Sequence, residues 1–208
     1  MTICLVTDRR RRPPIEQAAE AADAGVDFVQ VRERDLPASE LVSLVAGVVG
    51  VTRGSRTRVL VNERLDVAMA CGADGVHLRG DSIPPSRARS IAPPGFLIGR
   101  SVHKKAEALA VAADVDYLIA GTVFPTASKP GATDLLGVDG LAAIASAVSA
   151  PVLAIGGMTL ERVDAVAAAG AAGVAAIGLF ADRDRPIKQV VRALRERFNI
   201  GGDSSSSA

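Results

Sequence analysis

Short runs rich in Val, Ile and Leu alternate along the chain with amphipathic, Ala-rich stretches, the pattern of parallel strands joined by crossover helices. Eight runs read as strands: Ile3 to Val6, Val26 to Val31, Val59 to Asn62, Gly75 to Leu78, Leu97 to Ser101, Tyr117 to Gly121, Val152 to Ile155 and Val174 to Ile177. Helices are expected after them at Ile15 to Ala24, Ala38 to Val49, Leu65 to Cys71, Pro85 to Ile91, Lys104 to Ala112, Leu141 to Val148, Leu160 to Ala169 and Ile187 to Phe198. Thr159 stands where an N-cap is needed before LERV, and Ser39 in DLPASEL adjoins an acidic first turn.

A weak internal repeat supports the count. AGVDFVQV from Ala24, CGADGVHL from Cys71, AADVDYLIAG from Ala112 and AGAAGVAAIG from Ala169 each join a helix end to a strand. Eight units of roughly 25 residues match the lower size limit of a (β/α)8 TIM barrel, so the expected class is α/β with a single barrel domain over residues 1–200. An open doubly wound sheet is the alternative, and it typically uses fewer strands. The tail 201–208, GGDSSSSA, is low-complexity and expected to be disordered.

Composition narrows the partners. Lys and Arg number 24 against 23 Asp and Glu, a net charge of +1, so no broad field exists to hold nucleic acid or an anionic membrane. The windows from Gly140 to Leu160 and from Ala165 to Ala181 lack charge, yet Ser, Pro and Gly interrupt them, and a helix followed by a buried strand explains each. The apolar stretch in MTICLVTDRRRR is too short for a signal sequence and its charges follow it. Cys4 and Cys71 have no paired or metal-ligand spacing and read as buried free thiols of a reducing, cytoplasmic compartment.

In such a barrel the chemistry lies where strands end. The second strand runs out through Gln30, Arg32, Glu33 and Arg34, the third through Asn62, Glu63 and Arg64, and the fourth through Arg79, Gly80, Asp81 and Ser82. The fifth ends in Arg100, Ser101 and His103, and the sixth opens into TVFPTASKPG with Thr122, Thr126, Ser128 and Lys129. Gly156, Gly157 and Gly178 offer main-chain N–H groups where barrels often bind phosphate, unless they only make tight turns. Thr126, Ser128 and Lys129 together form a donor set for a second phosphate group, or else a solvated loop flanked by proline. Gln30, Arg32 and Arg34 alternate and share a side that for Gln30 is the barrel mouth, unless one arginine is taken up in a structural ion pair with Glu33 or Asp27. Glu63 and Asp81 end neighbouring strands with the geometry to share a divalent cation, or to pair with Arg64, Arg79 or Arg100 instead. His77, inside a strand, reads as a core histidine, and His103 as the functional one.

These residues resemble the thiamine phosphate synthase family, which includes the thiazole tautomerases, up to about Phe198. Five separated pieces match in order: QVRER, VNERLDVA, GADGVHL, IGRSVH with FPTASKPG, and VLAIGGMT with AGAAGVAAIGLF. The resemblance implies a (β/α)8 barrel and a transferase joining hydroxymethylpyrimidine diphosphate to thiazole phosphate, with magnesium and release of pyrophosphate. By it, Gln30 and Arg34 reach the diphosphate beside Asn62, and Ser101 is a pyrimidine-side hydroxyl. Thr126, Ser128 and Lys129 match a Pro-Thr-x-Thr-Lys loop, while Gly157, Ile177 and Gly178 match the thiazole-phosphate pocket, with Gly178 replacing a Ser. The family's two metal-binding aspartates fall at Glu63 and Ser82, with Asp81 one position early, which implies a weaker or displaced magnesium site. Arg34, IGRSVH and IGGMT are similar to the tautomerase branch, whose histidine falls at Thr122, leaving His103 as the remaining candidate base. A thiazole tautomerase and a non-catalytic phosphate-binding barrel are the alternatives.

Overall fold

Eight parallel strands close into a barrel in chain order: β1 (Thr2–Val6), β2 (Phe28–Val31), β3 (Arg58–Asn62), β4 (Gly75–Leu78), β5 (Leu97–Val102), β6 (Tyr117–Gly121), β7 (Val152–Ile155) and β8 (Gly173–Ala176), with β8 pairing back onto β1. The computed structural model describes residues 1–126 and 134–203, with side chains as far as 199. Around the barrel lie α1 (Pro14–Asp23), α2 (Ala38–Thr52), α3 (Leu65–Ala70), α4 (Pro85–Ile91), α5 (Lys105–Val111), α6 (Gly137–Ala145), α7 (Val163–Ala168) and α8 (Ile187–Asp203). No helix among the described residues is long and apolar enough to cross a membrane.

Every expected strand and helix is present; β4, β6, β7 and α4 have the expected bounds and the others have shifted ends. Val26 and Asp27 precede β2, and at Asp27 the carboxylate accepts the Ile3 N–H at 2.9 Å where a main-chain carbonyl would otherwise do so. Thr159 does not cap with its side chain: residues Leu160–Arg162 form a 3-10 turn, and the Arg162 N–H donates to the Thr159 carbonyl. Ser39 lies inside the first turn of α2, which starts after Pro37. α8 reaches Asp203, three residues into the expected tail, and 204–208 lie outside the described residues. Cys4 is buried and Cys71 only half-buried, both as free thiols.

Strand side chains alternate between two cores. One face packs Ile3, Leu5, Val29, Val61, Val76 and Ile98 against the helices. The other fills the barrel with Cys4, Val6, Leu60, Tyr117, Ile119, Leu153 and Ala175, and Phe28 stacks tilted on Tyr117 at 5.3 Å.

The internal repeat has a structural reason. Its aspartates Asp27, Asp74 and Asp116 sit just ahead of β2, β4 and β6, and each accepts the main-chain N–H of a neighbouring strand, from Ile3, Val59 and Ile98 at 2.7 to 2.9 Å. These carboxylates close the N-terminal rim of the barrel. The fourth copy has Ala172 there, and the Thr2 N–H goes to its carbonyl.

Candidate functional site

At the other rim the inward-facing positions turn polar. Following the period of two up each strand, the apolar filling gives way to Gln30 on β2, Asn62 on β3, His77 on β4 and Ser101 on β5. All four line a cavity of about 250 Å³ that opens at the C-terminal ends of the strands. They are linked in pairs. Gln30 Nε2 donates to Asn62 Oδ1 at 3.1 Å, and His77 lies between the Tyr117 hydroxyl at 3.0 Å and the Ser101 hydroxyl at 2.8 Å. Gly99 makes this possible, since a Cβ there would fall 2.0 Å from the Tyr117 ring.

Burial sets the protonation of this group. His77 is pushed down to about 3 by desolvation, reinforced by the positive charges of Arg100 and Arg32, so the ring is neutral near pH 7. Desolvation also raises the Tyr117 phenol well above its ordinary range. Gln30 Oε1 is buried with no hydrogen-bond partner among the described residues, an acceptor facing a cavity that can hold a donor.

Arginines crowd one side of the mouth. Arg11, Arg32, Arg34 and Arg79 all line the cavity, and the Arg32 guanidinium is held below its usual range by burial and then by Arg34, with Arg79 adding to the effect. The acids proposed as structural partners are taken elsewhere: Glu33 by Thr7 and Arg9, Asp27 by Arg56 and Arg195. Neither the Arg32 nor the Arg34 guanidinium has an ion-pair partner among the described residues.

On the far side of the barrel, β7 and β8 supply a different surface. Gly156 and Gly157 both have positive φ, 102° and 62°, and a Cβ on Gly157 would lie 2.4 Å from the Pro125 carbonyl oxygen, so glycine is required there. Gly157, Ile177, Gly178 and Thr126 line this part of the cavity, with Thr122 behind them. His103 also lines it, its Nδ1–H donating to the Gly121 carbonyl.

The acidic residues are engaged separately. Glu63, at a left-handed φ of 69°, accepts at Oε1 from the Arg79 main-chain N–H at 2.7 Å and from the Ser82 hydroxyl. Asp81, with 69% of its side chain exposed, pairs with the Arg79 guanidinium at 2.7 Å. Among the described residues no group of three His, Cys, Asp or Glu is disposed to hold a metal ion. Ser128 and Lys129 lie outside the described residues.

Ten of the expected site residues thus line one cavity: Gln30, Arg32, Arg34, Asn62, Ser101, His103, Thr126, Gly157, Ile177 and Gly178. Arg11 and His77 belong to it as well. The one sequence sign for His77 is its place near the C-terminal end of a barrel strand, and only the pairing of β4 with β5 sets it beside Ser101.

A family model described as thiamine monophosphate synthase matches residues 3–180. A thiamine-phosphate synthase from Methanoculleus marisnigri is 42% identical over 198 residues, 93% of each chain. Another, from Pyrococcus horikoshii, is 36% identical over 196 residues, 94% of this chain and 93% of its own. Among solved structures, thiamine phosphate pyrophosphorylase from Pyrococcus furiosus has a TM-score of 0.85 at 32% identity, with 96% of each chain covered. A 3-hexulose-6-phosphate synthase, at 20% identity and a TM-score of 0.71, shares the barrel.

Proposed function

The chain belongs to the thiamine monophosphate synthase family, and from that premise we propose that it is a transferase joining a hydroxymethylpyrimidine diphosphate to a thiazole phosphate. The products are thiamine phosphate and pyrophosphate. The observation that carries this reading is the division of one cavity into an arginine end and a glycine end, with a neutral polar floor between them. Two anionic substrates need two cradles, and the reacting carbon and nitrogen then meet over the floor.

Arg32, Arg34 and Asn62 take the diphosphate, to which Lys129 and Ser128 of the FPTASKPG loop are assigned by the family pattern. Gln30 Oε1 accepts from the pyrimidine, and the Ser101 hydroxyl, fixed by His77, binds the same ring. Gly157 and Gly178 offer main-chain N–H groups to the thiazole phosphate, with Thr126 beside them and Ile177 as the apolar wall. The reaction is dissociative: the bond from the pyrimidine methylene to the diphosphate oxygen breaks, its electron pair leaves with pyrophosphate, and the thiazole nitrogen captures the cation. Such a step needs positive charge at the leaving group and a floor that does not react, more than a general base. A neutral His77 and an intact Ser101 hydroxyl satisfy the second need.

Magnesium is implied beside the diphosphate, and the donor set here does not fit it. The ion wants near-octahedral oxygen ligands, usually one or two free carboxylates with substrate oxygens. Glu63 already accepts two donors at one oxygen, Asp81 is drawn onto a guanidinium at the exposed edge, and three arginines border the same place. The substrates are small and phosphorylated, and the free thiols of Cys4 and Cys71 agree with a cytoplasmic setting. The tautomerase alternative, with His103 as base, leaves the arginine end without a purpose.

The test is formation of thiamine phosphate from the two substrates by the purified protein, in chelator and with magnesium. Product in either condition establishes the transferase. No product in both, with thiazole phosphate still bound, removes this reading in favour of the tautomerase or a binding protein.

A further inference from the structure

We propose that Arg79 is a further counter-cation for the departing diphosphate, so that this chain holds pyrophosphate through its own side chains, without a divalent ion. The inference rests on the reading that the diphosphate lies at the arginine end of the cavity. Arg79 follows β4 and lines the main cavity as well as a smaller adjoining one of about 180 Å³, whose walls also include Arg34, Asn62 and Glu63. It therefore stands at the junction where acidic ligands would have to reach a metal.

Three observations converge on it. First, Glu63 is turned onto the loop itself, with Oε1 accepting both of its donors. Its carboxylate accepts the Arg79 main-chain N–H and the Ser82 hydroxyl from a left-handed backbone that few residues other than glycine adopt, so it braces the segment carrying Arg79. Second, the Arg79 guanidinium has one carboxylate partner among the described residues, Asp81, and that pair is exposed, at 38% and 69% of the two side chains. Exposed pairs contribute little, and a polyanion replaces such a partner readily. Third, Arg32, Arg34 and Arg79 line the same cavity, and burial followed by the charge of Arg34, with Arg79 adding, disfavours the charge on Arg32, a cost relieved when an anion enters among them.

The chemistry balances without a metal. When the pyrimidine methylene-to-oxygen bond breaks, the electron pair and the new negative charge stay on pyrophosphate. Forked N–H donors on several guanidiniums meet that charge, and no proton need move. The thiazole nitrogen lone pair forms the new bond, and the positive charge ends on the thiazolium ring.

Calorimetric titration of the full chain with sodium pyrophosphate, in excess chelator and again with magnesium, tests this directly. Binding is expected in chelator, and Arg79→Ala is expected to weaken it about tenfold, the worth of one charge-assisted hydrogen bond. Asp81→Asn separates the two explanations by sign. Freeing Arg79 leaves binding in chelator equal or tighter, whereas a carboxylate needed for a metal would make the loss of Asp81 weaken binding with magnesium. Pyrophosphate binding only with magnesium, or unchanged binding by Arg79→Ala, overturns the proposal. If pyrophosphate binds in chelator through Arg79 yet no thiamine phosphate forms under any condition, the anion site stands and the transferase reading falls.

Discussion

His77 on β4 and Ser101 on β5 are joined by a hydrogen bond of 2.8 Å between Nε2 and Oγ, while the other ring nitrogen meets the Tyr117 hydroxyl at 3.0 Å. A neutral imidazole donates at one nitrogen and accepts at the other. With the Tyr117 O–H donating to Nδ1, Nε2–H donates to Ser101, and the serine proton is left to turn into the cavity. Tyr117 and His77 thus set the direction of a hydroxyl that lines the cavity.

This arrangement predicts a pH dependence of stability. His77 titrates near 3 in the folded chain and near 6.5 when unfolded, so the unfolded state binds the extra proton between those values. Stability is therefore full above about pH 6.5 and falls as the pH drops toward 3. Between pH 7.5 and 5 the loss from this one group is about 2 kcal/mol. Urea unfolding of the wild type and His77→Gln at both pH values checks it: the variant should lose less stability on acidification, and equal losses would assign the effect to other groups.

The rim opposite the cavity predicts the reverse separation of stability from activity. The Asp74 carboxylate accepts the Val59 N–H at 2.7 Å, ahead of β4 and away from the strand ends that hold the site. Asp74→Ala should cost about 1 to 3 kcal/mol by leaving that donor unpaired. Steady-state kinetics at a temperature where the variant is folded should give an unchanged kcat/KM. A fall in kcat/KM there would mean that strain at this rim reaches the site.

Much of this molecule can be read in its sequence because each strand carries its own boundary signals. The runs Gly75–Leu78, Tyr117–Gly121 and Val152–Ile155 end where expected, since Gly or Pro punctuates one side and a polar loop the other. The polar rim was equally visible, because Gln30, Asn62 and Ser101 break an apolar alternation. What was hidden depends on closure. His77 looks like core in one strand and becomes the neighbour of Ser101 only when β4 and β5 pair His77 with Gly99. Arg11 sits in a run of four arginines, and no pattern distinguishes the one that lines the cavity. Glu63 and Asp81 read as a pair by position, but the main-chain N–H of Arg79 and the Ser82 hydroxyl, both close in space, settle where Glu63 points.

At the glycine end, Gly178 differs from Gly157 in having no steric need for glycine. Among the described residues a Cβ on Gly178 meets nothing within 4 Å, and the residue begins a 3-10 turn without a left-handed φ. Gly178→Ser should fold as the wild type does and place a hydroxyl donor in the cavity, tightening thiazole phosphate by roughly 0.5 to 1.5 kcal/mol, the net worth of a hydrogen bond. Direct titration with thiazole phosphate measures this, with Gly157→Ser as the contrast, expected to destabilise because its Cβ would run into Pro125. Unchanged affinity in Gly178→Ser would move the phosphate away from β8.

The loop after β4 offers the complementary change. Ser82 now donates to Glu63, and the two together close one carboxylate oxygen against Arg79. Ser82→Asp replaces that donor with a second carboxylate beside Glu63. Two acids that repel each other create a place for a divalent cation, which binds oxygen ligands and relieves their charge. The variant should be less stable in chelator than the wild type and regain stability as magnesium is added, by the linkage between binding and folding. Thermal unfolding across a magnesium series reads the effect without reference to catalysis, and the wild type should show no such dependence. A wild type stabilised by magnesium to the same degree as Ser82→Asp would mean that Glu63 already holds the ion, and the arginine end would then have to share its diphosphate with a metal.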